Sequence, residues 1–570
     1  MERADQAACA EPALSGADVR HRAVKGAAVL VSRGALIKLI GFGGNVVLAR
    51  LLVPRDFGLV AFGTTIMFMT NFIGDGGMGA ALLRRERAPT RTELGAVNGL
   101  QLAVALLVVA ISALAAVPLG SDALVTTVMV SALPITALRT PSAIMLERQL
   151  SYGPMALVDI AEVVSYYCWA IPGVILGAGV WALATGTVVR AVCGTATIMF
   201  FTPVGLVLPC IRLDVMRPLW RFGARVQAAR LSGLARDQGI NIATAALAGV
   251  GGLGVWSLAG RLMSIPALLL DTLWNVSYPA MSRLREAGED LTAVVARSVR
   301  LTAIGTGVLL APLIASAPAM VPSVFGPQWH GVVDVVTLLP LGMLVMGPVS
   351  VSTSGFLYSA GEAGAVLRAL AASAVVNLTV GVGLLALFGL TGLAAGTSLA
   401  YLTEAAFLAR ATRRHVQARL FATSGPVMVS AAVIALLINA ATRLTPPTLL
   451  PAVAAAALSL VLFCGCVALI AHADLRLLLR TAQDLTRRRP TPTPEGPHER
   501  PVQRPRLVHR APQVTPERPH LVHRAPQVTP ERPHLVHRAP QVTPERPHER
   551  PSHRPRLVHR APQATPARGG

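Results

Sequence analysis

Between residues 27 and 471 the chain is a succession of apolar runs, each long enough to cross a bilayer and separated from the next by a short polar or glycine-rich break. A membrane-spanning helix needs about 20 mostly apolar residues, and in lipid only a helix or a closed barrel satisfies its own backbone. A window of that length finds fourteen candidate spans, from 27–49 to 448–471. The seventh, 226–249, is the least regular because it carries Arg230, Arg236 and Asp237. Of 570 residues, 53% are hydrophobic and 14% charged, whereas a soluble domain has roughly 25% charged. An ordinary soluble enzyme is excluded. The first 25 residues are polar and lack the apolar core of a cleavable signal, so the first span is expected to act as an uncleaved membrane signal.

The loops fix an orientation. Cytoplasmic loops of membrane proteins carry the excess of Lys and Arg. With the N-terminus inside, some 18 loop arginines fall on the cytoplasmic side, among them Arg84, Arg85, Arg148, Arg217, Arg283 and Arg413. Only Arg50, Arg55 and Arg443 fall on the other. Missing one span would swap every later loop, so fourteen spans with both termini cytoplasmic is the expectation. The location follows: a multi-pass protein of a bacterial cytoplasmic membrane, surrounded by membrane lipids.

The net charge is +22, yet 19 arginines against 8 acids in residues 473–570 supply half of it. Nucleic-acid binding is therefore a poor explanation of the charge. The tail from Asp474 carries the 14-residue unit LVHRAPQVTPERPH at 507–520, 521–534 and 535–548, with a degenerate copy at 557–570. Frequent proline forbids a regular helix and there is no apolar face to bury, so the tail is expected to be disordered. Its arginines suit an anionic leaflet, its Pro-Glu-Arg-Pro segments suit a docking partner, and its histidines suit at most a weakly held metal. A tolerated tandem expansion is the plain alternative. The six cysteines show neither zinc nor disulfide spacing, and no cofactor is expected.

Ionisable residues inside spans carry the functional signal. An arginine at the bilayer centre costs about 2.5–3.5 kcal/mol on insertion scales, so each needs a polar cavity or a partner. Arg33 and Lys38 lie in the first span, Arg190 in the sixth and Arg261 in the eighth, and none has an acid within helical reach on its own span. Surplus cations in a cavity imply an anionic ligand, and phosphate or pyrophosphate matches the guanidinium fork. The competing reading is structural: ion pairs such as Arg236 with Asp237 or Glu404, or side chains that snorkel to the surface. Asp159, Glu162, Asp271 and Glu404 are candidates for ion coupling, because a carboxyl inside a bundle exchanges H⁺ or Na⁺.

Several stretches together resemble a known group. LARLLVPRDFGL at 48–59 is similar to the first-loop signature of bacterial polysaccharide flippases, the oligosaccharide branch of the MOP exporter superfamily. GDGGMGAALLR at 74–84, LGVWSLAGR at 253–261, VSYPAMS at 276–282 and VFGPQW at 324–329 follow in the family's order. The resemblance runs from about residue 30 to 420 and leaves the tail without a counterpart. An internal echo, Phe57-Gly58-Leu59 opening the second span and Leu253-Gly254-Val255 the eighth, is what two bundles related by an axis normal to the membrane produce.

The resemblance implies an all-α polytopic protein. Its expected order is a cytoplasmic segment (1–26), a six-helix bundle (27–203), a basic cytoplasmic linker (204–225), a second six-helix bundle (226–409), two further helices (410–473) and the tail (474–570). It further implies a flippase for polyprenyl-pyrophosphate-linked oligosaccharide, working by alternating access, with polysaccharide assembly machinery as a candidate partner. Arg261, Arg33 and Lys38 stand where such transporters carry cavity cations, while Asp56 and Asp75 fit turns and helix ends better than ligand contacts. The alternatives are a cation-coupled drug antiporter of the same superfamily and a flippase of lipid-linked peptidoglycan precursor. An enzyme is not expected, since the outward loops are too short to house a catalytic site.

Overall fold

The computed structural model describes residues 34, 36–202, 205–288, 291–416 and 420–470. Arg33, the N-terminal segment and the repeat tail lie outside the described residues. Among the described residues every regular element is a helix, as apolar runs in lipid require. In chain order they are α1 (36–51), α2 (Pro54–Asp75), α3 (Met78–Arg84), α4 (Arg91–Leu119), α5 (Ser121–Val130), α6 (Ala132–Ala137), α7 (Thr140–Arg148) and α8 (Tyr152–Ile175). Then follow α9 (Val180–Phe201), α10 (Leu213–Glu286), α11 (Leu291–Phe325), α12 (His330–Ser359), α13 (Ala363–Val376), α14 (Val382–Thr412), α15 (Leu420–Thr442) and α16 (Leu449–Ile470).

Ten helices among the described residues are long and apolar enough to span a membrane, or eleven with the bent pair 121–137 and 140–148. Two of the ten, 54 and 50 residues long, are broken inside by a single glycine. Gly249 (φ 74°, ψ 175°) interrupts α10 and Gly389 (φ 65°, ψ −149°) interrupts α14. Only glycine takes such angles without strain. The expected outward loops at these points thus contract to one-residue kinks, and each long helix provides the length of two crossings.

Local chemistry sets the helix ends. Pro54 opens α2, where its missing N–H costs nothing, and the Asp56 carboxylate accepts from the Val53 N–H at 3.3 Å. At the other end Asp75 accepts from the Gly77 and Gly79 amides at 3.1 and 3.4 Å. Both acids are helix-end residues. Thr90 and Glu93 cap α4 reciprocally, Thr90 Oγ1 accepting from the Glu93 N–H at 3.2 Å and Glu93 Oε2 from the Thr90 N–H at 2.9 Å. Glu93 is buried and also binds Arg85 and Arg87, so two arginines of the basic loop are structural.

The core has two main parts. One joins α10–α16 around Leu310, Ile314, Phe356 and Phe463, with α15 and α16 packed on α11. The other gathers the arginine-poor ends of α1, α2, α8, α9, α11 and α12 and the middle of α10 around Phe57, Leu258, Phe325 and Trp329. Trp329 is fully buried, sits edge-on to Phe57 at 5.0 Å, and donates its indole N–H to the Ala49 carbonyl at 2.9 Å. Gln328 Nε2 donates to the same carbonyl at 2.9 Å. Arg50 donates through Nε to the Val324 carbonyl at 2.6 Å and through Nη2 to that of Ser323. Two backbone crossings complete this seal. The place of a Gly58 Cβ is taken by the Val250 carbonyl oxygen, and that of a Gly254 Cβ by the Pro54 carbonyl oxygen. The motifs at 48–59, 253–261 and 324–329 therefore meet at one end of the protein and close it.

Candidate functional site: a cationic cavity

Arg261 stands two helical turns beyond Gly254 on α10, about 10 Å along the helix from the seal at 1.5 Å per residue. There the helices part around a cavity of about 620 Å³. Among the described residues its lining includes Arg139, Arg190, Arg261 and one acid, Glu162. Thr64, Asn71, Thr136, Thr140, Thr187, Tyr166 and Tyr167 add neutral hydrogen-bonding groups, and Ile37, Val60, Met67 and Phe68 an apolar wall. Three guanidiniums against one carboxylate leave a surplus of positive charge in a site walled by low-dielectric helices, where its field is strongest.

A second cavity of about 190 Å³ adjoins the first through shared Ile37, Gly41 and Arg261, and its lining adds Lys38, Asn45 and Ser264. Arg261 thus faces both spaces. Its Nη1 donates to Asn45 Oδ1 and its guanidinium lies 5.4 Å from the Phe57 ring centroid, a cation–π contact. Lys38 Nζ donates to the Ser264 carbonyl at 3.1 Å. Tyr167 donates to the Gly41 carbonyl at 3.0 Å, and a Gly44 Cβ would strike the Tyr167 ring. The glycines of α1 let the tyrosine close on this helix.

The structure brings three of the four named cations, Lys38, Arg190 and Arg261, to these adjoining cavities. Arg33, the fourth, lies outside the described residues. Arg190 does have an acid, on a neighbouring helix: its Nε donates to Glu162 Oε2 at 3.0 Å. Glu162 Oε1 accepts from Arg139. Arg139, which the sequence reading placed in a cytoplasmic loop, also lines the large cavity. It sits where α6 and α7 meet at a 50° bend, directly before the first turn of α7, in which Pro141 is tolerated because its missing N–H has no helical partner to lose.

The four candidate coupling acids are not gathered. Asp159 precedes Glu162 by three residues on α8 and acts electrostatically on Arg139. Glu404 is buried on α14 within the field of Arg236, whose Nε donates to Asp237 at 2.9 Å. Asp271 is exposed on α10.

The family described as polysaccharide biosynthesis protein matches residues 47–334, a stretch containing the seal and the arginines of the cavities, Arg139, Arg190 and Arg261, while Lys38 lies just before it. The chain belongs to this family. It is 24% identical over 319 residues to the succinoglycan biosynthesis transport protein ExoT of Rhizobium meliloti (strain 1021), covering 53% of this chain and 63% of that protein. It is 21% identical over 358 residues to the lipopolysaccharide biosynthesis protein WzxC of Escherichia coli (strain K12), covering 59% of this chain and 72% of that one. The match thus spans less than two thirds of the Rhizobium relative. Among solved structures, the lipid II flippase MurJ in an inward closed conformation is similar with a TM-score of 0.60 at 12% identity, over 78% of this chain and all of that one. An inward-facing multidrug resistance MATE family transporter of the MOP superfamily matches with a TM-score of 0.52 at 16% identity, over 66% and 94% of the two chains. The fold is that of MOP superfamily transporters, and the protein is a multi-pass membrane protein.

Proposed function

We propose that the protein is a flippase that carries polyprenyl-pyrophosphate-linked oligosaccharide across the cytoplasmic membrane for cell-surface polysaccharide assembly. The observation that carries this reading is the surplus of cations, Arg139, Arg190 and Arg261 against Glu162, in the 620 Å³ cavity. A space of this size holds a ligand of drug-like dimensions, enough for the diphosphate and the first sugar. The threonines, Asn71 and Tyr166 offer hydrogen-bond partners to sugar hydroxyls, while the polyprenyl chain stays in lipid. Lys38 in the adjoining cavity extends the cationic surface, and Arg33, outside the described residues, is assigned to the same ligand in this proposal. The relatives' names, a succinoglycan transport protein and a lipopolysaccharide biosynthesis protein, support the substrate class.

The rest of the scheme belongs to this proposal. The seal at the arginine-poor end opens as the protein alternates its access, the two long helices count as two spans each, which with the bent pair and α1 makes fourteen, and both termini are cytoplasmic. The two bundles rock against each other, ion coupling runs through one of Asp159, Glu162, Asp271 or Glu404, and assembly enzymes receive the glycan outside. A cation-exporting antiporter needs the opposite cavity charge.

Thermal unfolding in detergent separates these two readings. A ligand that binds only the folded protein stabilises it by about 2.7 kcal/mol at a hundred times its dissociation constant. Farnesyl pyrophosphate is expected to raise Tm and the lipophilic cation tetraphenylphosphonium to leave it unchanged. The reverse pattern would favour the antiporter.

A further inference from the structure

Glu162 lies between two of the cavity arginines. Its side chain is 5% exposed, yet it forms part of the cavity wall. One carboxylate oxygen receives Arg139 Nη1 and the other receives Arg190 Nε at 3.0 Å. The two guanidiniums are more open than the acid between them, at 26% and 50% exposed. Three segments converge here: the α6–α7 bend, α8 and α9. The Thr195 hydroxyl, donating to the Ile135 carbonyl at 3.1 Å, ties α9 to α6. The packing is close enough that a Cβ at Gly194, one turn past Arg190, would come within 2.7 Å of Arg139 Nη1 and Glu162 Cγ. The glycine admits the ion pair against the backbone of α9.

A carboxylate spanning two guanidiniums makes the contact that two oxygens of a phosphate make with the same pair. Without an anion between them, two arginines in a low-dielectric wall repel one another. We propose that Glu162 is an internal counter-ion that occupies the Arg139–Arg190 clamp in the empty cavity and is displaced from it by the diphosphate of an arriving substrate. This rests on the reading of the cavity as a diphosphate site. The exchange is one of ion pairs alone, with no bond made or broken. Its consequence is weaker substrate binding than the arginines alone would give. A transporter gains from that, because a site must release its cargo as well as take it.

The test compares full-length wild-type protein with Glu162→Gln by calorimetric titration, using farnesyl pyrophosphate and, separately, inorganic pyrophosphate. Removing one charge-assisted competitor is expected to tighten binding about tenfold, the ratio equivalent to a contact of roughly 1.4 kcal/mol. Glycolipid flipping should slow in the same variant, because release becomes harder. Tightening for both anions assigns the clamp to the bare diphosphate, and tightening for farnesyl pyrophosphate alone assigns it to the lipid headgroup; either supports the exchange. In an Arg190→Gln background the tightening should vanish, and this double-mutant cycle separates exchange from a general effect on folding. A Glu162→Gln protein that binds as wild type does, or more weakly as Arg190→Gln does, would overturn the proposal and make Glu162 a structural strut. Binding that is lost in Arg261→Ala yet insensitive to Glu162→Gln would overturn the exchange alone. Failure of both wild type and Glu162→Gln to bind either anion would overturn the exchange together with the diphosphate reading.

Discussion

Arg261→Ala is expected to lower flipping of a lipid-linked oligosaccharide about a hundredfold, within the 2–5 kcal/mol range for truncating one partner of a buried, hydrogen-bonded charge pair. Arg261 is the lining residue common to the large cavity and the Lys38 pocket that carries a charge. Its guanidinium is held by Asn45 and by the Phe57 face, so it meets a ligand without first being ordered. Alanine removes the charge and leaves Asn45 without its donor. Lysine should rescue only part of the rate, because an ammonium keeps the charge but not the planar fork. Initial rates in proteoliposomes measure both variants. Equal rates for Arg261→Ala and wild type would remove this residue from the transport path.

The second large effect lies at the seal. Gly254→Val puts a branched side chain where the Pro54 carbonyl oxygen lies, and Gly58→Val does the same against Val250. At both positions the two nearest atoms belong to the backbone, so no side-chain rotation relieves the clash. Overpacking of this kind costs about 1–3 kcal/mol. If that cost falls on the closed arrangement alone, it shifts a two-state equilibrium by roughly five- to 150-fold. Both variants are expected to increase labelling of a cysteine placed at Ala49 by a membrane-impermeant maleimide, relative to the same cysteine in an otherwise wild-type chain. Unchanged labelling would mean that α2 and α10 are not what holds this end closed.

The fold was largely legible because its causes are local. Twenty-residue apolar runs, Pro54 at a helix start and the Thr90–Glu93 capping pair are written within a few positions of one another. The glycine breaks were legible as boundaries but not in kind: a run through Gly249 reads the same whether it ends in a loop or in a one-residue kink. The site was legible by half. Burial cost pointed to Lys38, Arg190 and Arg261, since any cation inside a span demands an explanation. Their partners were hidden, because Glu162 lies 28 residues before Arg190 and Asn45 lies 216 before Arg261. Helical periodicity sees one helix at a time, and contacts between helices leave no period. Arg139 was missed for a related reason. A basic residue near a span end reads as a loop charge, and only Pro141 two positions later hinted that the helix bends there and turns the side chain inward.

The central claim is that this cationic cavity passes a diphosphate-linked glycan through the bilayer. The most direct measurement reconstitutes the purified protein with a short-chain polyprenyl-pyrophosphate oligosaccharide and follows the glycan's accessibility to a glycosidase added outside the vesicles. With protein present, the protected fraction should become accessible with time, and far more slowly with Arg261→Ala. Glycan that stays protected with the wild-type protein, while the same vesicles take up an organic cation along an ion gradient, would contradict the claim.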